Sequence, residues 1–204
     1  MSSTKTLNNL FTFSSTEGQQ LVQKILVDGL LFEPHNDQIA GVCKTLDGIN
    51  ILIVSVTGSG KTGYFFMVLI VIITINNNLQ LCPSVKFKKD PAMIVLCPTN
   101  ALEVEMRDKM ITFGLTVIAL NRDTIEEAQQ LHQEDLWETA HTGIAVILTN
   151  MEQLSLRGFA KLTNDKSGRI SVLIMPAFGC NACVTDANGG VYSKMHWEVA
   201  GGVA

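Results

Sequence analysis

The chain has 204 residues, 47% of them hydrophobic and 17% charged, and a formal net charge of −4. That length supports one well-buried domain, and that composition describes a packed globular chain. The acidic balance removes the overall basic field expected of a strong non-specific nucleic-acid binder, leaving only local grooves.

Residues 1–15 read as a flexible lead, polar and rich in Ser, Thr and Asn, with no secretory signal. The scattered Cys43, Cys82, Cys97, Cys180 and Cys183 are then most simply reduced thiols of an intracellular protein. Ser15 or Thr16 caps a helix running to about Val27, with Leu21, Val22, Ile25 and Leu26 on its apolar face. A turn over Phe32–Gln38 leads to a second helix, striped by Ile39, Val42, Cys43 and Leu46 and ended by Gly48.

The body then alternates strand and helix. Strand 50–56 leads to helix 62–75, and strand 93–97 to helix 100–113. Strand 115–120 precedes a polar helix or pair of helices over 124–140. Strand 144–149 precedes helix 151–162, and a last apolar run covers 170–175. This alternation predicts an α/β domain over 16–175, a mostly parallel sheet with helices on both faces. Its ligand belongs at the carboxyl ends of the strands. The apolar run from Tyr64 to Ile75 is too short for a membrane span, which needs about 20 residues, so no membrane partner is expected. Residues 176–204, rich in Gly, Ala and Asn, read as an irregular tail.

The chemistry starts at Ser55-Val56-Thr57-Gly58-Ser59-Gly60-Lys61-Thr62, which follows Ile51-Leu52-Ile53-Val54. A buried strand entering a glycine-bearing loop, then Lys-Thr and an apolar helix, is the layout of a phosphate-binding loop. Gly58 and Gly60 let backbone N–H groups turn inward at an anion, and the helix adds its positive dipole end. Lys61 would reach the β- and γ-phosphates of a nucleotide, and the Thr62 hydroxyl would ligate Mg²⁺. Ser55 stands where the pattern usually has Gly or Ala. The bland alternative is a glycine turn without a ligand, and the context disfavours it.

Further stretches join the loop: Phe32…Gln38, Cys97-Pro98-Thr99-Asn100-Ala101-Leu102 and Thr149-Asn150-Met151-Glu152-Gln153-Leu154. With Thr57–Thr62 they make residues 20–165 resemble the first motor domain of superfamily 2 helicases of the DEAD/DEAH-box kind, and within them the RecQ-like DNA helicases. The resemblance implies a RecA-like P-loop NTPase fold that binds ATP with Mg²⁺ and single-stranded or forked DNA, with RNA left open. It implies that Gln38 reads adenine, with Phe32 packed nearby, since an amide can both donate and accept. It implies that Pro98, Thr99 and Asn100, and Thr149 with Glu152, grip a nucleic-acid backbone by positioning contacts. A nuclear location is implied by the family alone. Met151 departs from the family's usual proline.

A larger departure follows. The family places an Asp-Glu-x-His box after the next strand, for Mg²⁺ and the attacking water. Here Ile170–Met175 is followed by Pro176-Ala177-Phe178-Gly179, and Asp186 is a poor substitute. No catalytic residue is assigned. The domain is read as incomplete, a truncated or diverged helicase that is inactive alone. The alternatives are a non-catalytic nucleotide- or DNA-binding remnant or interaction module, and, less favoured, an unrelated P-loop enzyme such as a small-molecule kinase. Cys180 and Cys183, with His196, have the spacing of part of a zinc site or redox pair, and the bland reading is preferred. Lys86, Lys88 and Lys89 read as a solvated run or a nucleic-acid contact.

Overall fold

The computed structural model describes residues 11–54, 60–164, 169–176, 182–186 and 198–200. Helix α1 (Thr16–Gly29) is capped by Ser15, whose hydroxyl accepts the N–H of Gly18, and it is followed by α2 (Asn36–Leu46). Strand β1 (Ile51–Val54) leads to α3 (Lys61–Asn77), β2 (Ala92–Leu96) to α4 (Asn100–Thr112), and β3 (Val117–Leu120) to α5 (Arg122–Gln130) and the short α6 (Leu136–Thr139). Strand β4 (Val146–Thr149) enters a 3₁₀ helix (Met151–Ser155) and then α7 (Arg157–Thr163), and β5 (Ile170–Pro176) follows. Where the sequence suggested one helix over 151–162, extended backbone at Leu156 (φ −81°, ψ 150°) separates two.

The described strands form one sheet in the order β3-β4-β2-β5-β6-β1-β7, with β6 at Ala182–Asp186 and β7 at Glu198–Ala200. Strands β3, β4, β2 and β5 run parallel, as βαβ alternation requires. The fold is therefore α/β with a mostly parallel sheet. Residues 176–204 do not behave as an irregular tail throughout. Strand β6 turns back antiparallel and lies between β5 and β1, and β7 pairs parallel with β1. Such pairings are non-local, so no periodicity within the segment announces them.

Strand alternation divides the core. Met93 and Val95 of β2, Cys97 just after it, and Val146 and Leu148 of β4 face α3 and α4. Ile94, Leu96 and Ile147 face the opposite layer, with Trp137, Ala140 and Leu162. Both faces are thus covered, and each fully buried aliphatic side chain contributes about 1.5–3 kcal/mol. Helix α3 is apolar all round because α1 and α2 cover its outer side: Tyr64 through Ile72 are all buried. Among the described residues no helix is long and apolar enough to cross a membrane.

Candidate nucleotide and nucleic-acid site

Thr57, Gly58 and Ser59 lie outside the described residues, as do the side chains of Lys61 and Thr62. What the structure places is the exit of the loop. Gly60 is the N-cap of α3, with φ 73° and ψ 24°, a left-handed conformation that glycine adopts without steric cost. It starts a 17-residue helix that follows β1 through the loop, and a helix N-terminus favours an anion through its N–H groups and dipole.

Gln38 closes the flank of this turn. It is 3% exposed, and its Nε2 donates to the Gly60 carbonyl at 2.9 Å. Its Oε1 accepts the His35 N–H at 2.9 Å, the capping-box bond at the start of α2. A Cβ on Gly60 would lie 2.9 Å from Gln38 Nε2, and one on Gly63 would lie 3.1 Å from it. Both glycines are therefore needed for the amide to approach. Gln38 is neither solvated nor presented to solvent; it ties α2 to the phosphate loop. A carboxamide has two N–H groups and two acceptor lone pairs, and the described bonds take one of each. Phe32 is 42% exposed and packs edge-on against Phe66 and Phe113, at centroid distances of 6.5 and 6.1 Å.

A second group of polar residues gathers at the carboxyl ends of β2, β4 and β3. Pro98 is half-buried, while Thr99 and Asn100 are exposed. Thr99, not Asn100, caps α4, accepting the Leu102 N–H at 3.3 Å. Asn100 instead links the loops: its Nδ2 donates to Asp123 at 2.9 Å, and its Oδ1 accepts from Asn150 Nδ2 at 3.3 Å. Thr149 does not offer its hydroxyl to a nucleic-acid strand. It is fully buried, and its Oγ1 donates to the Leu120 carbonyl at 2.8 Å, fixing β4 against β3. In that loop Asn150 is half-buried and Glu152 exposed; Asn150 Oδ1 accepts the N–H groups of Glu152 and Gln153.

Sequence reasoning missed Glu103, Asn121 and Arg122. Glu103 is fully buried in the first turn of α4; its Oε2 accepts from Asn121 Nδ2 at 2.6 Å and its Oε1 has no partner among the described residues. Burial pushes this carboxyl's pKa up, the Asn121 amide opposes that, and the Asp123 charge adds to it. Cys97, beneath it, is pushed up to about 12 by burial and then by Glu103. Cys43 reaches about 12 by burial and then by Asp47. These are inert thiols. A usable signal was present: Thr99, Asn121 and Asn150 each follow a strand and open a helix, the position at which such residues cap.

Two other candidates are placed elsewhere. The Lys86–Lys89 run sits at the amino ends of the strands, where Lys88 Nζ donates to the carbonyl of Ile170, the first residue of β5. It is at the wrong pole for a ligand at the carboxyl ends. The register carries Asp186 the same way. Val54 pairs with Ala182 and Ile51 with Thr185, so Asp186 lies beyond the start of β1, about 13 Å from the level of Val54. Cys180 and His196 lie outside the described residues, so the partial zinc site is not addressed by the structure.

A strand leading to a glycine-capped buried helix, with polar loops at the carboxyl ends of parallel strands, is the layout of an α/β domain that binds its ligand at those ends. The chain belongs to the DEAD/DEAH box helicase family, whose model matches residues 35–175. Members of that family are ATP- and nucleic-acid-binding motors. The match includes Gln38, the phosphate loop, Pro98–Asn100 and Thr149–Glu152, begins after Phe32 and stops before Pro176. No curated protein matches the chain.

Proposed function

We propose that this chain is the ATP- and nucleic-acid-binding motor domain of a RecQ-like DNA helicase, and that alone it binds ATP with Mg²⁺ without turning it over. The residues fit the nucleotide. Gly60 caps the first turn of α3 at a positive φ, and a Cβ there would lie 2.9 Å from Gln38 Nε2. Lys61 and Thr62 are the groups that would hold the phosphates and Mg²⁺, and the metal would supply charge neutralisation at the γ-phosphate. The adenine is read by Gln38 with Phe32 beside it, and the strand is single-stranded DNA at Pro98, Thr99, Asn100 and Glu152. The RecQ-like reading implies a nuclear setting.

Inactivity rests on one observation. Strand β5 ends in Pro176 followed by Ala177, and the next acidic residue, Asp186, is carried by β6 to the opposite end of β1. On this reading no carboxylate among the described residues follows β5 at its carboxyl end to activate water.

The test is ATP binding and turnover with and without single-stranded DNA, with Lys61→Ala as control. The mutant should bind ATP with Mg²⁺ at least tenfold more weakly, the loss expected of a charged phosphate contact. Equal affinity would remove the nucleotide site. DNA-stimulated turnover that disappears in Lys61→Ala would overturn inactivity and require a carboxylate from elsewhere. Gln38→Ala should narrow the preference for ATP over GTP; unchanged discrimination would leave Gln38 as a strap on the loop and nothing more.

A further inference from the structure

The three loops at the carboxyl ends of β2, β3 and β4 form one surface. Asn150 bonds Asn100, and Asn100 bonds Asp123, so the chain of contacts crosses all three. A nucleic-acid backbone lying there brings one negative charge per phosphate, and the loops must answer it. Their composition is unfavourable. Segments 97–103, 121–127 and 149–155 carry Glu103, Asp123, Glu126, Glu127 and Glu152, and a single cation, Arg122.

Arg122 is placed to matter. It is the first residue of α5, directly after the Asn121 cap at the end of β3, and its side chain is 75% exposed. Its Nε donates to Glu126 Oε1 at 2.7 Å. Glu126, Asp123 and Glu152 all raise its pKa, so carboxylates from two of the three loops act on this guanidinium. An exposed i,i+4 ion pair is weak, and a phosphate can displace it. The guanidinium's planar fork matches two phosphate oxygens better than a lysine would.

We propose that Arg122 is the principal phosphate contact of this face, and that Glu126 restrains it until a strand arrives. The inference rests on the nucleic-acid reading above and adds to it the residue that grips. Thr99 and Asn100 supply neutral positioning contacts, while Arg122 supplies the charge. Nearby Asp123 and Glu152 then keep the grip modest, which suits a surface that must release each nucleotide in turn.

The experiment is titration of the full chain against a fluorescent oligo-dT over a range of salt concentrations, for wild type, Arg122→Ala and Glu126→Gln. Arg122→Ala should weaken binding roughly tenfold at low salt. It should also reduce the slope of log affinity against log salt by about 0.7, the value for one single-strand phosphate contact. Glu126→Gln should tighten binding roughly twofold, because it frees the arginine and removes an opposing charge. A loss of folding would not do that. If wild type binds and Arg122→Ala binds equally well, the assignment is wrong while the nucleic-acid reading stands. If Glu126→Gln leaves affinity unchanged, the restraint is wrong. If wild type binds no oligo-dT, the reading beneath both falls.

Discussion

The two ends of the same strands are built on opposite principles. At the amino ends, Arg169 is 3% exposed, and its guanidinium donates to the carbonyls of Ala140 and Ile144 and to the Asp90 side chain. One buried cation thereby joins the segments entering β2, β4 and β5. At the carboxyl ends, buried Glu103 and Gln153 each keep an oxygen without a partner among the described residues. Around Arg169 the first end is well satisfied, although Asn50 Oδ1, just before β1, has no partner among the described residues. The second is left with polar capacity, and an unpartnered buried oxygen costs about 1–3 kcal/mol. The contrast is local, between the network around Arg169 and the loops that carry Glu103 and Gln153, and binding belongs with the latter.

The largest break in that contrast should come from Arg169→Ala. It removes the donor to three backbone carbonyls, those of Asp90, Ala140 and Ile144, and to the partly exposed Asp90 carboxylate. Removing one partner of such a buried network costs about 3–5 kcal/mol. Urea unfolding should show that loss with the slope unchanged. A loss below about 1 kcal/mol would mean that the amino pole is no better fastened than the carboxyl pole.

Most of the scaffold could be read locally. Strand-then-helix alternation gave β1 to β5 and their helices within a few residues, because each burial pattern repeats inside its own segment. The direction of β6 could not be read, because it depends on pairing with β5 and β1, and this pairing decides where Asp186 goes. At the site, Gln38 was found by its distance from the phosphate loop, but its burial against Gly60 depends on how α2 packs on α3. Thr149 looked like a backbone contact by its place in a motif. Its hydroxyl turns inward because β3 presents the Leu120 carbonyl beside it. Glu103 resembled any acidic residue in a first helical turn, a position favoured by the dipole alone. Its burial comes from Asn121 and the neighbouring strand ends, which lie far along the chain.

Glu103 also offers the finer test of the carboxyl pole. Its carboxyl is held above the ordinary carboxylate range, chiefly by burial. Above the unfolded-state value, the folded protein therefore keeps a proton that the unfolded chain has released. Stability contributed by that proton is fully present below the unfolded value and is lost as pH rises through the folded one. Glu103→Gln removes the titration, so the wild type should lose ground to the mutant as pH rises from about 4 to about 8. Paired urea midpoints across that range give the readout. Two curves that stay parallel would mean that Glu103 ionises in the folded protein as easily as in the unfolded one. Glu103 Oε1 would then have a partner, and the carboxyl pole would be as well satisfied as the amino pole. Diverging curves would instead show that the buried carboxyl opposes folding at neutral pH. That cost falls on the turn that presents Thr99 and Asn100, where rigidity serves binding more than stability.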